Sequence, residues 1–263
     1  MLADTATSLR RGIAVLQALN GAEAIEAGGL GVLRLAELVG QDKSLVSRTL
    51  KVLAEYGLVD RDSQTLAYRL GWGVFALAAR AGDTRLLEAA QPVLRRLVER
   101  LGERAHLSVL RGAEVLTVLS ESPPRAIQAA GWVGRTVPAY CTSSGRALLV
   151  DHDRDRLGAL LGPGPFGRFG PSTPGTLDEV AARVEDARVR GYAVADEELE
   201  AGLVAVGAPV RDFRGRVAAA INVSGPKFRF GGQLHAAGVL VAAAAGELSA
   251  LLGAPGLPAE ALT

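Results

Sequence analysis

Apolar residues recur at helical spacing from the start of the chain. Ser8 precedes Leu9, Ile13, Leu16 and Leu19, which share one side of a predicted amphipathic helix ended by Asn20-Gly21. A glycine-containing loop leads to a short predicted helix at residues 33–39, stopped by Gly40. Gly40-Gln41-Asp42 makes a turn, and a second short helix follows within residues 41–54. Val46, Leu50 and Leu53 form its apolar stripe, while Ser44, Ser47, Arg48 and Lys51 line up at i, i+3, i+4 and i+7 on a polar one. After Gly57 the period drops to two. Residues 58–61 and 66–70 flank Asp62-Ser63-Gln64-Thr65 as a predicted hairpin, with Leu66, Tyr68 and Leu70 on one face and Arg69 on the other.

A linking helix is predicted over residues 71–82 and a further helix over 86–100, with Leu87, Leu94 and Leu97 turned to a core. Residues 105–110 and 114–120 form a second hairpin across Arg111-Gly112-Ala113. Thr176-Leu177-Asp178-Glu179 is a capping box opening a helix that Gly191 ends. Residues 203–211 and 217–224 pair as strands, and an alanine-rich helix from about 233 to 252 closes the pattern. Helices flanking hairpins, without βαβ alternation, predict an α+β class on an antiparallel sheet. The predicted domains are 1–70, a linker helix 71–83, and 84–263.

The chain's 263 residues are ample for two cores, and 49% hydrophobic with 22% charged residues fits a globular protein. The most apolar run, residues 238–246, is shorter than the roughly 20 residues a membrane span needs, and no signal-peptide layout opens the chain. With Cys141 as its one cysteine, the chain is expected in the cytoplasm, off the membrane. A net charge of +1 gives no bulk attraction for nucleic acid, and residues 1–70 are neutral, with eight Lys and Arg against eight Asp and Glu. The charge is local instead. Two of the chain's three lysines, Lys43 and Lys51, lie beside Arg48 in the polar stripe.

Two short helices joined by a tight turn, with a third to close the core, form the helix-turn-helix arrangement that fits the major groove of double-stranded DNA, and the hairpin after them is a wing. The candidate DNA-binding residues are Lys43, Ser44, Ser47, Arg48, Thr49 and Lys51 on the second helix, and Arg61, Gln64 and Arg69 on the wing. A solvated helix face and a solvated hairpin would carry the same residue types.

The ordered motifs resemble the IclR family of bacterial transcription regulators along nearly the whole chain. Their carriers are Ser8 to Ile13, Asp42 to Arg48 and Tyr68-Arg69-Leu70-Gly71, then Pro138 to Leu149, Gly191-Tyr192-Ala193, Asp196-Glu197-Glu198, Gly202-Leu203, Ala208 to Asp212 and Asn222 to Pro226. The resemblance implies a winged helix that dimerises and a GAF-like effector-binding domain that can assemble into tetramers. It implies a regulator, with repression as the expected mode, of a catabolic operon controlled by a small carboxylate, bound to a pseudo-palindromic promoter site as a homodimer or tetramer.

In that family the positions matching Ser143, Ser144, Ala205, Asn222 and Ser224 lie at the effector's polar end. Tyr140, Cys141, Thr142, Gly145 and Ala195 complete the candidate set. Ala195 replaces an acidic residue of some members and Ala205 a cysteine of glyoxylate-responsive ones, so a glyoxylate-like effector is not expected. A roomier, more apolar cavity is. Residues 137–140 and 196–203 also resemble the branch sensing aromatic acids of the β-ketoadipate pathway, which implies a benzoate-type carboxylate.

No catalytic residue, metal or cofactor is expected, since His106, His152 and His235 lack ligand spacing and no nucleophile elbow or phosphate loop occurs. Asp196, Glu197, Glu198 and Glu200 read as a solvated turn. Two competitors remain: a hydrolase using Ser144 or Cys141 in the C-terminal pocket, and a sensor whose wing binds protein.

Overall fold

The computed structural model describes residues 2–78, 84–124 and 131–254. It divides into two units, Met1–Thr84 and Arg85–Thr263, each with its own buried centre.

In the first unit, helices α1 (Leu2–Leu19), α2 (Ala22–Glu26), α3 (Val32–Val39) and α4 (Lys43–Glu55) precede strands β1 (Val59–Arg61) and β2 (Tyr68–Leu70), with α5 (Trp72–Ala78) following. Residues 79–83 of the predicted linker lie outside the described residues. Val15, Leu19, Leu35, Val46, Leu50, Leu53 and Val59 form the core.

Three expectations change. Helix α1 runs through Ser8, and its buried side carries Val15 and Leu19, leaving Leu9 and Ile13 exposed. Apolar residues occupy more than one side of α1, so periodicity could not choose; the packing of α3 and α4 against it does. Helix α2 falls in the predicted loop, because five residues are too few to show a period. Leu66 leaves the wing strand: Asp62 Oδ1 accepts from the amides of Gln64 and Thr65, its carbonyl accepts from Leu66 N, and Leu66 takes a φ of 60° with its side chain in solvent.

The second unit opens with α6 (Thr84–Leu101), β3 (Arg104–Arg111), β4 (Glu114–Glu121) and β5 (Thr136–Pro138), then α7 (Ser143–Leu148), α8 (Arg154–Leu161) and α9 (Leu177–Arg190). Strands β6 (Ala193–Asp196), β7 (Leu203–Arg211) and β8 (Val217–Pro226) follow, and α10 (Lys227–Phe230) and α11 (Leu234–Leu251) close it. The six strands form one antiparallel sheet in the order β5-β4-β3-β8-β7-β6.

Strand alternation sorts the two faces. Leu107, Ile221, Val223, Val204 and Val206 pack with Leu94 and Leu97 of α6 and Val241, Ala245 and Leu248 of α11. The other face carries His106, Asn222, Ser224 and Ala205, and α7 to α9 lie on that side. Residues 227–251 reach the length and hydropathy of a membrane span, which the shorter apolar run in the sequence did not reveal. Burial of Leu234, Ala237, Val241, Ala245 and Leu248 accounts for that composition as a core helix. The capping box at Thr176 and Glu179 opens α9 as predicted.

Candidate functional site

Helix α4 presents Lys43, Ser44, Ser47, Arg48 and Lys51 to solvent on the side away from Val46, Leu50 and Leu53. None of the three cations is in an ion pair among the described residues, whereas Arg34 is held by Glu23 and Glu37 at 2.7 and 2.8 Å. Arg48 Nε donates to Ser44 O at 3.3 Å, which leaves its outer nitrogens to project. Thr49 does not join this face. Its hydroxyl donates to Leu45 O at 3.0 Å, and it lines a cleft with Leu9, Ile13 and Val52. On the wing, Arg61, Gln64 and Arg69 are exposed, and the Arg61 guanidinium lies over the Tyr68 ring, 5.4 Å from its centre.

In the second unit a small open-mouthed cavity, about 50 Å³, lies between the polar sheet face and α7. Of the sequence candidates, Cys141, Thr142, Ser143, Ser144, Ala195, Ala205, Asn222 and Ser224 line it. Tyr140 and Gly145 do not. The Tyr140 ring stacks on Phe166, and its hydroxyl donates to Gly167 O at 2.8 Å. Gly145 is required for packing: a Cβ there would stand 2.1 Å from Ala139 O. Gly145→Ala gains roughly 1 kcal/mol of helix propensity against an overpacking cost of about 1–3 kcal/mol or more with rigid backbone. It is expected to lower the urea midpoint and distort the start of α7; a midpoint at or above wild type would refute the close approach.

The cavity also holds residues that the sequence argument missed: His106, Ser108, Thr117, Trp132 and Glu198. The polar ones had a signal. His106 and Ser108 alternate on β3, and Thr117 pairs with Ser108 across the hairpin. Trp132 occupies part of the space that Ala195 and Ala205 were expected to open. Burial, with Arg104 nearby, pushes the His106 pKa down to about 3, so the ring is neutral. The Cys141 thiol is pushed up to about 12, by burial first and then by Glu198.

Glu198 corrects the solvated-turn expectation. It is buried, and its oxygens accept from Arg146 at 2.5 and 2.9 Å and pair with Arg183 at 2.7 Å. Asp196 and Glu197 pair with Lys227. These partners lie about 30 to 50 residues away along the chain, or nearer only across a helix, so local sequence could not supply them. Among the described residues no group of three His, Cys, Asp or Glu is placed to hold a metal ion.

The sequence model described as IclR helix-turn-helix domain matches residues 8–63, and the one described as bacterial transcriptional regulator IclR C-terminal matches residues 78–250. The chain belongs to the IclR family. It is a transcriptional regulator of that family, with the family's helix-turn-helix and C-terminal domains. It is 37% identical over 229 residues to the HTH-type transcriptional regulator BhcR of Paracoccus denitrificans, covering 84% of this chain and 80% of that one. It is 34% identical over 223 residues to the Pca regulon regulatory protein of Pseudomonas putida, covering 84% and 75%. The crystal structure of an IclR transcriptional regulator from Alicyclobacillus acidocaldarius superposes with a TM-score of 0.79 at 26% identity, covering 94% of this chain and 99% of that one. The IclR relationship accounts for the winged helix and the antiparallel sheet domain occurring in one chain.

Proposed function

We propose that this regulator binds a pseudo-palindromic promoter site as a dimer or dimer of dimers, in the cytoplasm, and represses a catabolic operon until a small organic acid enters the second unit's cavity. The observation that carries the DNA reading is the unpaired cationic and hydroxyl-bearing stripe on α4. Ser44, Ser47 and Arg48 are positioned to read base edges, Lys43 and Lys51 to hold phosphates, and Arg61, Gln64 and Arg69 to meet the backbone beside the groove. Thr49 drops out of this set, because it lies off the stripe with its hydroxyl bonded into the helix.

A footprint on the intergenic DNA beside its own gene tests this. Arg48→Ala is expected to cost about 1–3 kcal/mol of discrimination between the site and unrelated DNA. Lys51→Ala is expected to weaken binding to both alike and to lower the salt slope by about one. Equal protection by wild type and Arg48→Ala would remove α4 from the interface.

The acid reading rests on the hydroxyls of Ser143, Ser144 and Ser224 and the Asn222 amide gathered in one largely buried cavity. The resemblance of residues 137–140 and 196–203 to the branch sensing aromatic acids supports an aromatic acid, and Ala195 and Ala205 speak against glyoxylate. Heat on titrating a short aliphatic acid, with none for benzoate-type acids, would overturn the aromatic assignment.

Binding, and no chemistry, is the cavity's role. Cys141 keeps its proton far above physiological pH, and among the described residues of the cavity the hydroxyl paired with a histidine is that of Ser224, not Ser144. Effector binding shifts the population between two arrangements of the regulator by its differential affinity for them, coupled through residues 71–83.

A further inference from the structure

The cavity, about 50 Å³, is too small for the ligand it is read to bind. A water takes roughly 10–15 Å³ on that measure, so the space holds roughly three to five waters. Pockets for small organic ligands start at about 300 Å³. An aromatic acid therefore enters only if part of the wall gives way.

Most of the wall is fixed. Strands β3, β4, β7 and β8 are laddered to their neighbours. The start of α7 is pressed on Ala139 and Gly207: a Cβ on Gly145 would stand 2.1 Å from Ala139 O, and one on Gly207 3.0 Å from Ser143 C. Glu198 is tied to Arg146 and Arg183. Outside helices and strands, the lining residues with partly exposed side chains are Trp132 and Leu199. Of these two, the indole occupies far more space.

The backbone around Trp132 is pinned. Gly134 N donates to Thr117 O at 2.9 Å and Thr117 N to Arg135 O at 3.1 Å, which fastens the turn to β4, and Arg135 N donates to Trp132 O at 3.0 Å. The ring is held more loosely. It meets the His106 ring at 5.8 Å between centres, tilted by 59°, and the Arg135 guanidinium lies 5.7 Å from its centre. His106 is 4% exposed and Arg135 is exposed, so the indole stands where the cavity gives way to solvent. A cation over a ring at an exposed site is a weak tether, and an aromatic ligand offers His106 a ring contact in place of the indole.

We propose that Trp132 is a specificity-determining residue: its indole plugs the cavity, and an effector gains room only as far as that ring swings out on its fixed backbone. This rests on the acid reading above and names the residue that limits the acid's size. Removing the ring should admit larger acids without touching the hydroxyls of Ser143, Ser144 and Ser224.

The test is isothermal titration of the full chain with benzoate and 2-naphthoate. Trp132→Ala is expected to raise the affinity for 2-naphthoate relative to benzoate by about ten-fold over wild type, and Trp132→Phe to fall between the two. A second readout follows the ring itself. Trp72→Phe leaves Trp132 as the chain's one tryptophan, and saturating benzoate is expected to shift its emission to the red and to raise its quenching by acrylamide. Heat from either acid only in Trp132→Ala would support the plug outright. Binding of benzoate with Trp132 emission and quenching unchanged, or a naphthoate-to-benzoate ratio in folded Trp132→Ala within two-fold of wild type, would overturn the role of Trp132 and leave the acid reading standing. No heat from either acid in folded wild type and folded Trp132→Ala would overturn the acid reading and this inference together.

Discussion

Glu198→Gln is expected to lower the unfolding free energy by about 3–5 kcal/mol, the usual loss when one member of a buried ion pair is stranded. Arg146 is the reason. Its side chain is 1% exposed, its guanidinium cannot deprotonate, and its partners are the two Glu198 oxygens and Val194 O. Gln removes the countercharge and offers one carbonyl oxygen in place of a carboxylate.

Arg146→Met removes the other member but leaves Glu198 with Arg183, which is 34% exposed and still reaches water, so its cost is expected to be smaller. The double variant Glu198→Leu with Arg146→Met should recover much of the loss, since a well-packed apolar pair often replaces a buried ion pair at little cost. Urea denaturation of the three variants checks the order. Glu198→Gln as stable as Arg146→Met would mean that Arg146 finds another acceptor.

The second large effect is an acid limb set by His106. In the unfolded chain the ring titrates near its ordinary value of 6.5, while in the fold burial and Arg104 hold it near 3. Above 6.5 the ring is neutral in both states, and the stabilisation is fully present. Between 6.5 and about 3 only the unfolded chain takes the proton, so stability falls by about 1.4 kcal/mol for each pH unit of acidification.

Carboxylates depressed by partners, such as Asp151 beside Arg211, act in the same direction but at lower pH. The range from 6.5 to 5 therefore separates His106 from the carboxylates. Urea midpoints there should fall with acid for wild type and flatten in His106→Phe; an equal slope in both would place the sensitivity elsewhere.

The polar stripe of α4, the turn at Gly40, the capping box at Thr176 and the paired strands β7 and β8 could all be read from the sequence. Each depends on neighbours within a few residues or on a strong local period. The buried side of α1 could not be read so, because Leu9 and Ile13 satisfy the same helical spacing as Val15 and Leu19. Half of the cavity wall was legible too, through the motif carried by residues 138–149 and 222–226. His106 was judged only as a possible metal ligand, and Trp132 gave no signal at all.

By itself, then, the sequence determined the strongly periodic elements, the two-part organisation, the α4 face and the family, since short-range periodicity, capping and ordered motifs are properties of the chain. The tertiary structure alone decided that Glu198 is an ion-pair partner and not a solvated acid, that Tyr140 turns from the cavity, and that His106 meets Ser224 inside it. Those outcomes depend on residues brought together from 27, 52 and 118 positions apart, where burial and strand register select the partner and local composition carries no record of it.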